Sequence, residues 1–223
     1  MTQIVEIRHL EDLDCAAQKV GLPVGPRTGR SKEKKEWYVL LGFLRATIPF
    51  RMVELPIMVR NGTPPDEPDF VMTRGGSTVG LLEITEATAE VDQKDMTSFQ
   101  RSTEKVAMLG KFGGRFKGGA SRPGLAWATD IVDAIRRKRG KAIFQDSSAT
   151  RHLLIYPNSN ASLLLFDEDD EREAVDELRA EIAKDPATLS RTVNGCLVHV
   201  LCKHLLCFNA LGEMSVLMFG SSA

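Results

Sequence analysis

No apolar run in this 223-residue chain approaches the roughly 18 residues that a membrane-spanning helix needs; the best, Tyr38 to Leu44, stops at Arg45. The first residues, Met1-Thr2-Gln3-Ile4-Val5-Glu6, have neither a basic start nor an apolar stretch, so they do not read as a secretion signal and a cytoplasmic location is expected. Net charge is also lacking: 29 basic residues stand against 30 acidic ones, which excludes polyanion binding by overall charge and requires any nucleic-acid footprint to be local. Cysteines number four, at 15, 196, 202 and 207, with no CxxC pair, so a disulfide framework is not indicated and the last three read as reduced thiols in an apolar stretch. P-loop, GxGxxG, GxSxG and HExxH motifs are missing, which leaves nucleotide-fold, serine-hydrolase and zincin chemistry unsupported. His199, Cys202, His204 and Cys207 do not have zinc-finger spacing, and buried cysteines with hydrogen-bonded histidines account for them better than a metal.

What the chain does have is 43% hydrophobic and 26% charged residues, ordinary values for a globular protein. The charge is strongly partitioned. Residues 100–141 carry eleven Lys or Arg against three acids, residues 66–95 eight acids against two bases, and residues 167–185 ten acids against three bases. Periodicity predicts helices over 11–20, 32–48, 92–109, 126–144 and 170–184. It predicts strands over 53–59, 69–72, 79–86, 153–156 and 162–166, the first demoted towards an edge by Pro56, and mostly buried β structure over 193–209 and 214–219. The Gly75-Gly76 pair supplies the turn of a hairpin between the second and third of these. Helices alternating with strands, without long linkers or repeats, indicate one α/β domain over residues 1–223 with a central mixed sheet flanked by helices. Residues 110–124 hold six glycines and read as a mobile basic loop.

The segment most telling for chemistry is Pro68-Asp69-Phe70-Val71-Met72, then the glycine turn, then Gly80-Leu81-Leu82-Glu83-Ile84-Thr85-Glu86. Strand alternation puts Glu83 and Thr85 on one face, and the hairpin brings Asp69 alongside; Glu86 faces the other way and is expected in solvent. Two carboxylates at adjacent strand ends suit a hard divalent cation, Mg²⁺ or Mn²⁺. Glu33 and Glu36 open the first long helix. Glu33, in line with Trp37, Leu40 and Leu44, is placed to reach the acids from below, although first-turn glutamates also favour the helix dipole. In the basic helix, Trp127, Ile131, Ala134, Ile135 and Ala142 form an apolar stripe with Lys138 in its middle, while Arg136, Arg137, Arg139 and Lys141 point away. Such a lysine is either paired or snorkels to water.

These residues resemble the PD-(D/E)XK restriction-endonuclease-like superfamily, in which an acid follows Pro on one strand, (D/E)-x-K occupies the next, and a Glu often sits on the preceding helix. Pro68-Asp69 matches the first element and Glu83-Ile84-Thr85 the second, except that Thr85 stands where the family has lysine. The helix carrying Ile135 to Ala142 and the strand His152 to Tyr156 look like the family's next helix and strand, so the likeness covers about residues 32–210. It implies a metal-dependent phosphodiester hydrolase acting on nucleic acid, with Asp69 and Glu83 holding Mg²⁺ or Mn²⁺ and Lys138 replacing the missing lysine. Lys111, Arg115, Lys117 and Arg122, interleaved with Phe112 and Phe116, would then contact phosphates and stack bases. Two alternatives stay open. One is a catalytically inactive protein of the same fold that binds nucleic acid or protein through that loop. The other is a regulatory partner docking through its acidic helix. A homodimer is compatible with each.

Overall fold

Sequence order and spatial order coincide in the sheet at the centre of this chain. The computed structural model describes residues 3–22, 31–63, 67–87, 123–138, 149–157, 168–184, 196–201, 205–208 and 214–217. Eight strands, β1 (Ile4–Ile7), β2 (Ile57–Asn61), β3 (Phe70–Arg74), β4 (Ser77–Ala87), β5 (Thr150–Pro157), β6 (Cys196–Leu201), β7 (Leu205–Phe208) and β8 (Met214–Leu217), lie side by side in that order. The pairs β4–β5 and β5–β6 are parallel and all others antiparallel, so the sheet is mixed. Each parallel step needs a crossover, and helices α3 (Pro123–Arg137) and α4 (Glu168–Lys184) lie within those two connections.

Two apolar clusters sandwich the sheet. On one face, α1 (Asp12–Lys19) and α2 (Lys32–Thr47) pack Leu13, Trp37, Leu40, Phe43 and Leu44 against Ile7, Val59, Phe70, Leu82 and Leu154. On the other, α3 and α4 pack Trp127, Ile131, Ile135, Leu178 and Ile182 against Leu153, Ile155, Val198 and Val200. Leu153 and Leu154 thus serve opposite faces, as strand alternation requires. Gly124 brings α3 close to α4: an added Cβ would lie 2.9 Å from Ala174 Cα.

The α/β class and the mixed sheet agree with the sequence reading, and the element bounds sharpen it. Gly75 and Gly76 adopt φ of 57° and 82° in the β3–β4 turn, the left-handed values that glycine takes without strain. The strand anticipated at 53–59 begins only after Pro56 and lies inside the sheet between β1 and β3, so the edge assignment is wrong. A proline directly before the first ladder residue disturbs no pairing. Strand β1 was not anticipated at all; four residues are too few to show a period. The helix expected at 92–109, the strand at 162–166, the basic loop with Lys111, Arg115, Lys117 and Arg122, and Arg139, Lys141 and Ala142 lie outside the described residues. No helix among the described residues is long and apolar enough to cross a membrane.

Candidate functional site

Three local devices place Asp69. Arg60 grips Glu67 with both guanidinium nitrogens, Nη1 to Oε2 at 2.7 Å and Nη2 to Oε1 at 2.6 Å, and the Thr63 N–H donates to Glu67 Oε2 at 2.9 Å. This fork pins the loop that leads into β3 and holds the Glu67 carboxyl down at about 2. Gly62 then donates its N–H to the Asp69 carbonyl at 2.9 Å, an approach so close that a Cβ on residue 62 would lie 1.6 Å from the Pro68 carbonyl oxygen. Finally, the Asp69 carboxylate itself is anchored: Oδ2 accepts the Ile84 N–H at 2.7 Å.

Register does the rest. Phe70 pairs with Leu82 across the hairpin, so Asp69 stands one step further on, beside Glu83. Phe70 and Leu82 belong to the α2 face, which turns Asp69 and Glu83 towards α3. There, at the end of α3, Lys138 reaches back across the sheet. Its Nζ donates to Glu83 Oε1 at 2.5 Å and to the Ile84 carbonyl at 3.3 Å. The pair is well shielded, with side-chain exposures of 15% for Lys138 and 5% for Glu83. Of the two readings the sequence allowed for Lys138, paired or snorkelling to water, the structure has the paired one.

A third carboxylate arrives from α2, and it is Glu36 rather than Glu33. Glu33 is exposed, whereas Glu36 is half-buried and ion-paired with Lys32 at 3.3 Å. Helical side chains lean towards the N-terminus, so the residue just before the buried stripe overhangs it while one a turn earlier leans past it into solvent. Burial, followed by the negative charge of Asp69, pushes the Glu36 carboxyl up; Lys32 opposes the shift and Glu83 adds to it. Burial, followed by Glu83, likewise pushes Asp69 up against the Ile84 N–H, Lys138 and Lys32. The Lys32 ammonium is held above its ordinary range, first by Glu36 and further by Asp69 and Glu83. The site is therefore one electrostatic unit of three carboxyls and two ammonium groups, drawn from α2, the β3–β4 hairpin and α3.

A scan against protein-family models, a search of curated proteins and a search of solved structures each returned no match.

Thr85 lies two residues beyond Glu83 on the same face, buried and opposite Ile155 of β5. Glu86, expected in solvent, is instead half-buried: its carboxylate meets Lys35 of α2 at 4.0 Å and its carbonyl accepts from Arg137 at 3.1 Å. Gly62 and the Ile84 peptide, which support Asp69, were not singled out in the sequence. His199 is buried as anticipated, and its unanticipated partner is His152: the rings meet Nδ1 to Nε2 at 3.0 Å, with Phe43 against both. Among the described residues no group of three or more His, Cys, Asp or Glu is arranged to hold a metal ion.

Proposed function

We propose that this chain is a metal-dependent phosphodiester hydrolase acting on nucleic acid, of the PD-(D/E)XK kind, with Lys138 in place of the lysine absent at Thr85. The observation that carries this reading is the reach of Lys138 from α3 to Glu83 and the Ile84 carbonyl, on the sheet face that Asp69 shares. The succession supports it too: a helix bearing Glu36, a strand that Asp69 precedes, a strand bearing Glu83, then a helix and a parallel strand.

The donor set suits a hard divalent ion. Asp69 and Glu36 are both pushed towards protonation, Asp69 by burial and Glu83, Glu36 by burial and Asp69, so a divalent cation would relieve a repulsion that two ammonium groups leave in place. Asp69 and Glu83 would hold Mg²⁺ or Mn²⁺, and Glu36 adds negative charge that interacts with both. Such an ion polarises a phosphoryl group and lowers the pKa of a bound water. The chain's own contributions are positional. The Ile84 N–H fixes the Asp69 carboxylate, Glu83 presents its carboxylate from a rigid strand, and the Lys138 ammonium lies ready to stabilise charge on an attacked phosphate. Thr85, a neutral hydroxyl, supplies none of that charge.

The rival reading, an inactive fold that binds nucleic acid through residues 111–122, draws on one observation. Lys138 already neutralises Glu83, which a binding module has no reason to undo. Incubating the purified chain with single- and double-stranded DNA and RNA in Mg²⁺ or Mn²⁺ separates the two. The hydrolase reading expects cleavage that Glu83→Ala and Lys138→Ala abolish and that Thr85→Lys partly restores in the Lys138→Ala background. An ammonium of this kind contributes on the order of 3 kcal/mol, roughly a hundredfold in rate. No cleavage by the wild type or by a folded Thr85→Lys protein retires the hydrolase and leaves the binding module.

A further inference from the structure

The Lys138 ammonium sits where a cation would have to sit. It touches the Glu83 carboxylate at 2.5 Å and the Ile84 carbonyl at 3.3 Å, and the same Ile84 peptide donates its N–H to Asp69 at 2.7 Å. Two carboxylates and one carbonyl oxygen are thus gathered around a single peptide unit, and a monovalent side chain is docked on two of the three groups. A hard divalent ion binds such oxygens at roughly 2.0–2.6 Å. An ion on the Glu83 oxygen that Lys138 holds would be pressed against the ammonium, with like charges repelling in a shielded site.

Lys138 is also free to leave. It follows the last residue of α3, its N–H closes the final turn on the Ile135 carbonyl at 3.1 Å, and its side chain keeps a 15% opening to solvent. Four methylenes let the ammonium swing outward without moving the helix.

We propose that Lys138 is a resident counter-ion of the site, so that divalent-metal binding and release of Lys138 from Glu83 are one exchange. The proposal rests on the metal-site reading above and adds its order of events: the side chain that stabilises the phosphate is liberated only when the site is loaded. Without metal, Glu83 stays neutralised and Lys138 stays sequestered. The empty site is thereby switched off at two residues by one ion pair.

Calorimetric titration of the 223-residue chain with Mn²⁺, at fixed pH and salt, tests the exchange without any substrate. Lys138→Met is expected to bind Mn²⁺ at least tenfold more tightly than the wild type, about 1.4 kcal/mol, and Glu83→Gln to weaken binding in both backgrounds. Lys138→Gln, which keeps a polar head, is the second variant should Lys138→Met not fold, with circular dichroism reporting the fold. In the unmutated chain, the ε-CH₂ NMR signal of Lys138 should move in step with a Mg²⁺ titration. Equal Mn²⁺ affinity in wild type and variant, with a stationary Lys138 signal, overturns the exchange and leaves the metal site standing. No binding by any form overturns both. Binding by the Lys138 variants alone overturns the exchange as well, because Lys138 then bars the metal instead of yielding to it, and it retires the wild-type chain as a metal-dependent hydrolase.

Discussion

Replacing a buried, hydrogen-bonded carboxylate usually destabilises a protein, yet Asp69→Asn should stabilise this one at neutral pH. Asparagine keeps an oxygen that can accept the Ile84 N–H and removes only the charge. That charge is unwelcome: burial and Glu83 both push the Asp69 carboxyl above its ordinary 3.8. In an effective dielectric of about 20, two like charges a few ångströms apart repel by a few kcal/mol. Lys138, at 2.5 Å from Glu83, and Lys32 return part of it, leaving a net gain on the order of 1 kcal/mol. For a chain of 223 residues that is roughly 2–4 °C in Tm. The pH dependence identifies the cause. Because the folded state holds the Asp69 proton more tightly than the unfolded state, ionisation removes stability as pH rises from the ordinary carboxylate range through the raised value. Below that range both states are protonated and the charge is gone in wild type as well. Thermal melts of wild type and Asp69→Asn without divalent ions should therefore diverge at pH 7.5, the variant higher, and converge near pH 3. A variant that melts lower at pH 7.5, or a difference that ignores pH, refutes the account of Asp69 as a residue kept ionised at the fold's expense.

Two further outcomes test the supports of the site. Gly62→Ala forces a Cβ to within 1.6 Å of the Pro68 carbonyl oxygen and should lower stability by roughly 2–3 kcal/mol, whereas Gly75→Ala, with nothing within 4 Å, meets only its positive φ and should cost about 1 kcal/mol; urea unfolding of the two variants checks the order. The His152–His199 pair should make the fold acid-sensitive. Burial depresses His152 to about 4, and burial with the charge of His152 also holds His199 well below its ordinary 6.5, so the unfolded state takes protons first and stability is lost as pH falls from about 6.5 towards 4. From His152 alone the loss between pH 7 and pH 5 is roughly 2 kcal/mol, read as a falling urea midpoint that His152→Leu should flatten.

How much of this was legible in the residues can be judged element by element. The hairpin was, because Gly75-Gly76 sits between two alternating runs, and with it the shared face of Asp69 and Glu83. Lys138 was singled out because a lysine interrupting an apolar stripe needs a reason, and the stripe itself (Trp127, Ile131, Ala134, Ile135) is buried. The choice between Glu33 and Glu36 was not, since it turns on which way side chains lean at the end of α2 rather than on spacing. Nor was the histidine pair: its members are 47 residues apart and meet only because β5 and β6 run parallel in a particular register. Gly62 shows the same limit. The Pro68 carbonyl oxygen that Gly62 must clear lies six residues further along the chain, and nothing in the spacing brings the two together.

The sheet whose spatial order repeats its chain order has a consequence for synthesis. Each strand pairs with the one made just before it, so a chain emerging from the ribosome always has its next partner already at hand. The acids of the site, on α2 and the β3–β4 hairpin, belong to the first 87 residues, which bring with them most of one apolar cluster. Lys138 is made later, 55 residues after Glu83. For that interval the nascent chain carries its carboxylates without the Lys138 ammonium, and α3 on arrival finds its docking point marked by negative charge.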